Sequence, residues 1–107
     1  KVKSSTSEVY GDVDKKLVQA TIRRRMGALQ SCYEKSLRSQ SGLKGKITFT
    51  ITISTSGRVV KVSVEGDTLG DSATLGCCKA KIKGWRFPVE GAEDSREVPF
   101  SVVFSQA

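Results

Sequence analysis

Histidine is absent from this 107-residue chain, and proline (two), tryptophan (one) and tyrosine (two) are scarce. Without an imidazole there is no Ser-His or Cys-His nucleophile pair and no histidine metal ligand. The three cysteines include no C-x-x-C pair and make a poor zinc set. Asp12, Asp14, Glu34, Asp67, Asp71, Glu93 and Asp94 are scattered through turns and expected helix starts, with no spacing that pairs two carboxylates for acid-base work. These residues point away from an enzyme and suggest neither metal nor cofactor. No apolar run approaches the roughly 18 residues of a membrane helix, and no secretory signal core is present. Lysine at position 1 reads as the start of a piece excised from a longer protein, so a membrane anchor is expected only upstream.

What the chain has is positive charge, 18 basic against 11 acidic residues for a net +7. The cations cluster at Lys15–Lys16, at Arg23, Arg24 and Arg25, and at Lys79, Lys81 and Lys83. They fall opposite the apolar stripes of two helical segments, as the solvated backs of helices do. The same clusters could dock an acidic envelope component, a lipid surface or an acidic protein. Nucleic acid is not expected, because no RNP-type aromatic run and few exposed aromatics are available to stack bases.

Residues 1–12, KVKSSTSEVYGD, are polar and aperiodic and read as a flexible linker tail, leaving a domain at 13–107. From Val13 the period becomes helical: Leu17 or Val18, Ile22, Met26, Leu29, Tyr33 and Leu37 share one face, with Asp12 or Asp14 as N-cap and Ser39–Gly42 as stop. GKITFTITIS then alternates, with Ile47, Phe49, Ile51 and Ile53 facing inward. Ser54–Gly57 turns the chain into a second strand, whose expected inward residues are Val60, Val62 and Val64. A second helix, capped by Asp71 or Ser72, carries Leu75, Cys78, Ile82 and Trp85 before Pro88 ends it. REVPFSVVF closes the chain with Val98, Phe100, Val102 and Phe104 inward. Tyr33, Trp85, Phe87 and Phe100 are the expected aromatic anchors of the core; a ligand role for Trp85 and Phe87 is the weaker reading.

This pattern specifies an α+β fold: a three-stranded antiparallel-type sheet, ordered helix-strand-strand-helix-strand in the chain, with two helices on one face. The second helix delivers the last strand parallel to the second, so a 2-1-3 order pairs it antiparallel with the first. That order makes the last strand a sheet edge, where Pro99 is tolerated. Glu97, Pro99, Ser101, Val103 and Ser105 share the outward parity and form the expected partner-binding edge. The functional reading hangs on this free rim, since a last strand lying between two others would offer no bare backbone.

The helix IRRR…LQSCYEKSL, the hairpin GKITFTITISTSGRV, the cysteine eight residues before tryptophan, WRFP and VPFSVVF together resemble the TonB carboxy-terminal-domain superfamily. They are most similar to its AgmX/PglI C-terminal-domain branch of gliding bacteria, over about residues 12–104. The doubled cysteine and the acidic loop from Pro88 to Glu97 depart from that pattern. The resemblance implies a periplasmic, non-enzymatic interaction domain, tethered to the inner membrane and belonging to a trans-envelope motility or energy-transducing complex. It also implies a partner, an extended segment of a periplasmic or outer-membrane protein, added along the last strand. A strand-mediated homodimer is a variant of the same idea.

Cys32 and Cys77 flank the two helical stripes, and those flanks meet if both helices cover one sheet face. A Cys32–Cys77 disulfide is the reading that also matches the family positions. Closing that loop of roughly 45 residues contributes about 4 kcal/mol in the loop-entropy picture. A Cys32–Cys78 bridge, or three reduced thiols, are the alternatives.

Overall fold

The computed structural model describes residues 2–6, 15–88 and 94–106. The elements are β1 (Val2–Thr6), α1 (Lys15–Leu37), β2 (Gly45–Ile53), β3 (Val59–Asp67), α2 (Ser72–Lys83) and β4 (Arg96–Phe104). The fold is α+β, with β3, β2 and β4 in the expected 2-1-3 order and antiparallel throughout. The expected helix caps Asp12 and Asp14, and the domain start at residue 13, lie outside the described residues.

Two sequence-based expectations are corrected. Val2–Thr6, read as linker, is a strand that pairs antiparallel with β4 and makes the sheet four-stranded, β1-β4-β2-β3. Consequently β4 is not a bare rim: Phe100–Phe104 lie between β2 and β1. The second correction is in β3. Ile53 pairs with Val59 and Thr52 with Lys61, so Val60 is an extra residue in a bulge and stands 59% exposed while Val59 is buried. Beyond the bulge, Val62 and Val64 pack against the core as expected.

The core forms where the sheet's apolar face meets the helices. Ile47, Phe49, Ile51 and Ile53 of β2 and Val98, Phe100, Val102 and Phe104 of β4 are completely buried. Helix α1 supplies Val18, Ile22, Met26, Leu29 and Tyr33; Leu17 is exposed, which settles that ambiguity. Trp85 lies past the α2 C-cap, Gly84, and stacks on Phe100 with ring centroids 5.9 Å apart. Phe87 packs edge-on to Trp85 and is buried, and its N–H donates to the Gly57 carbonyl. These two aromatics are core residues that close the hairpin end of the sheet.

Two local devices fix the loop around α2. Asp71 has the extended conformation of an N-cap and accepts from the Thr74 N–H. Its carboxylate also accepts from the Thr74 hydroxyl at 2.5 Å and from Gln40 Nε2 at 2.9 Å, tying α2 to the turn that follows α1. Hydrogen bonding from the Ser36 and Thr74 hydroxyls outweighs desolvation and holds its pKa down at about 2, against 3.8 ordinarily. At the start of β2, Gly45 permits a close approach: a Cβ there would sit 2.6 Å from the Leu69 Cα.

Replacing Gly45 with alanine is expected to cost about 2 kcal/mol in urea unfolding, because the obstruction is backbone; an unchanged midpoint would show that the Thr68–Leu69 turn can move aside. Asp71→Ala is expected to cost about 1–2 kcal/mol at neutral pH. Since the folded pKa is the lower one, Asp71's contribution is complete above 3.8 and disappears as pH falls through about 2. The stability gap between the two proteins should narrow across that window, and a gap that widened there would contradict the assignment.

Candidate functional site

The rim of β4 is set by side-chain alternation and by one missing donor. β2 and β4 pair without a break at nine positions, from Gly45 opposite Phe104 to Ile53 opposite Arg96. Pro99 sits inside that ladder opposite Thr50. Having no N–H, it fits where the odd residues of β4 direct their backbone groups away from β2. The even residues then serve β2, and the N–H groups of Ser101 and Val103 point at the other edge.

The side chains follow the same parity. Glu97 and Val103 are exposed, the latter by 41%, and Pro99, Ser101 and Ser105 are half-buried. The Ser101 hydroxyl shares a 2.9 Å hydrogen bond with that of Thr48 on the outer sheet face. β1 occupies this rim from Thr6, opposite Phe100, to Val2, opposite Phe104. Among the described residues, the last of these pairs lies one position short of Pro99. An open groove of about 490 Å³ lies at the Phe104 end, lined by Lys44, Lys46, Thr68, Val103 and Ser105 among others.

The opposite edge of the sheet differs. β3 carries two register shifts against β2, leaving Val60 and Glu65 without a partner position. At its start, Arg58 makes a bridge to Arg86 of the WRFP segment. Bulges and charged residues such as Lys61 and Glu65 are what blunt an edge against strand pairing. The two strands that flank β2 are therefore unequal: β3 is irregular, and β4 is regular.

The remaining expected sites distribute as follows. Arg23, Arg24, Arg25, Lys81 and Lys83 are exposed and Lys79 half-buried, so the cations remain a solvated surface and do not converge on a pocket. Tyr33 is a core ring whose hydroxyl donates to the Leu43 carbonyl, and burial raises its pKa. Cys32 and Cys77 are joined in a disulfide, with Cα atoms 5.7 Å apart. Cys78 is the free thiol, pushed up to about 12 by burial. Among the described residues, no group of three His, Cys, Asp or Glu could hold a metal ion, and no helix is long and apolar enough to cross a membrane.

Sequence reasoning missed Arg96. It is only 2% exposed and donates from Nη1 to the Ser54 carbonyl at 3.0 Å. The even parity it shares with Val98 and Phe100 was the available signal, but an arginine at an inward position was not anticipated.

No protein-family model and no curated protein sequence matches the chain. Among solved structures it is similar to the solution structure of the TonB carboxy-terminal domain of Pseudomonas aeruginosa. That match has a TM-score of 0.52 and 15% identity, and covers 95% of this chain and 85% of the other. It is also similar to the TonB carboxy-terminal domain of Helicobacter pylori, with a TM-score of 0.49 and 15% identity over 92% of this chain and 98% of that one. The first match shows that the chain has the fold of a TonB carboxy-terminal domain.

The thiol assignments are checked by alkylation without reductant. Native protein is expected to take up no iodoacetamide, and denatured protein one equivalent, at Cys78. Peptide mapping should return the 32–77 linkage; label on Cys32 or Cys77 would contradict it.

Proposed function

We propose that this is a non-enzymatic protein-interaction domain of the periplasm, which accepts an extended segment of a partner along β4. The whole protein is, in this reading, tethered to the inner membrane upstream of the segment described. It works in a trans-envelope complex of the energy-transducing kind, with gliding-motility assemblies of the AgmX/PglI type as the specific setting. The fold and the motifs WRFP and CYE support that context.

The observation that carries the reading is the asymmetry of the two strands that flank β2. The β4 margin is unbulged, and its geometry already accommodates an antiparallel strand at Phe100–Phe104. Recognition by strand addition is made by main-chain groups, with side chains at alternate positions adding selectivity. Val103 would give apolar contact, and Ser101 and Ser105 flank it on the same parity. Lys44 and Lys46, beside the groove at the strand's end, favour an acidic residue flanking the paired segment.

A second reading rests on Arg23, Arg24 and Arg25, exposed together on α1: a docking face for an acidic envelope component. The two separate experimentally. A photocrosslinker at position 103 of the full-length protein in its own envelope should capture a discrete partner, and one at position 24 should not. Ser101→Pro should abolish the adduct, and salt should weaken binding only slightly. Adducts from position 24 that vanish with rising salt would instead establish the docking face.

A further inference from the structure

We infer that β1 is a displaceable, intramolecular occupant of the β4 margin, so that a partner gains access to Ser101 and Val103 only when β1 leaves. This rests on the strand-addition reading above and adds a gate to it.

The case begins with how little holds β1. It is five residues long, whereas β2, β3 and β4 each have nine. Its sequence, VKSST, has one apolar residue, and lysine is depleted in strands. As the terminal strand of the sheet it has a ladder on one side only, supplemented by contact with α1. Beyond Thr6 the margin offers one donor fewer, because the next position on β4 is Pro99, which has no N–H to give. Strands that are short, polar and peripheral open locally at a small fraction of the global unfolding cost.

The same features suit an occupant that must be both present and removable. Tethering gives β1 an effective concentration in the millimolar range, so a weak strand suffices to fill the margin. A partner binding the open form pays for displacement through its apparent affinity, which falls by the fraction of open molecules. Whatever pulls or binds the chain upstream of residue 2 would then release the site, coupling the tether to partner capture.

The test is hydrogen exchange in the full chain, read amide by amide along β4. Ser101 and Val103, which face β1, should exchange at least about tenfold faster than Phe100 and Val102, which face β2. In the variant Lys3→Pro/Ser4→Pro the two odd amides should lose their remaining protection while the even ones keep theirs. Alternate residues of β1 point at β4, so one of the two prolines must strike the ladder. A synthetic peptide of residues 1–8, KVKSSTSE, serves as the probe. At millimolar concentration it should shift the amides of Phe100–Phe104 in the proline variant, with at least about tenfold weaker apparent affinity in the unmodified chain. Odd and even amides exchanging in step, or equal probe affinity in both proteins, would overturn the gate. Probe-induced shifts that spare β4 in the opened variant would overturn the strand-addition reading beneath it.

Discussion

Everything in this domain is arranged around the unbroken ladder between β2 and β4. Its nine pairs fix which residues of β4 face the helices and which backbone groups face outward. A slip of one residue would send Phe100 and Phe104 to the solvent face and bring Ser101 and Val103 inward. That slip is opposed by the burial of Phe49 against Phe100, centroids 5.5 Å apart, and of Tyr33 against Phe104 at 5.1 Å. At roughly 25 cal/mol per Å² of apolar area, turning out even one such ring forfeits about 2–3 kcal/mol. The register, and with it the identity of the rim, is thereby secured.

The helical cover is held by covalent and polar links that converge on the α1–α2 contact. The Cys32–Cys77 bridge joins the two helices. A few residues along the same contact, the Thr74 and Ser36 hydroxyls share a 3.1 Å hydrogen bond, and Asp71 accepts from Gln40. Neither set touches the β4 margin. The helical cover and the β4 margin are thus held by separate interactions: joined helices seal one sheet face, and main-chain pairing with β1 covers the margin.

How much of this was readable in the sequence depended on whether burial or main-chain pairing was at stake. Alternation of apolar residues in ITFTITI and VPFSVVF located the strands, their inward faces and, through Pro99, the orientation of the rim. The helical stripe narrowed its start to Leu17 or Val18, and only packing chose Val18. The disulfide followed from the flanks of two stripes, but neighbouring Cys77 and Cys78 needed a real helix orientation to tell apart. Val60 deceived because VVKVSV alternates equally well with a bulge or without one, and a bulge changes parity without leaving a composition signal. β1 was invisible for the reason that matters functionally. VKSST makes its place through backbone pairing with β4, and a five-residue polar segment carries no periodicity that could announce it.

The covering of the β4 margin also resolves a conflict in the function proposed for it. A regular, unbulged edge is what strand addition requires, and it is equally what edge-to-edge aggregation exploits. β3 escapes that hazard through Val60, Glu65 and the Arg58–Arg86 bridge, all of which spoil it as a pairing surface. In the proposed reading, the β4 edge cannot be spoiled in the same way without losing the pairing surface it offers a partner. A strand supplied by the chain itself satisfies both demands, provided its hold is intermediate. Too weak, and Ser101 and Val103 stand open to a second copy of the chain; too strong, and no partner displaces it. In the gate proposed above, a segment of five residues with one apolar side chain is what places the hold between those limits.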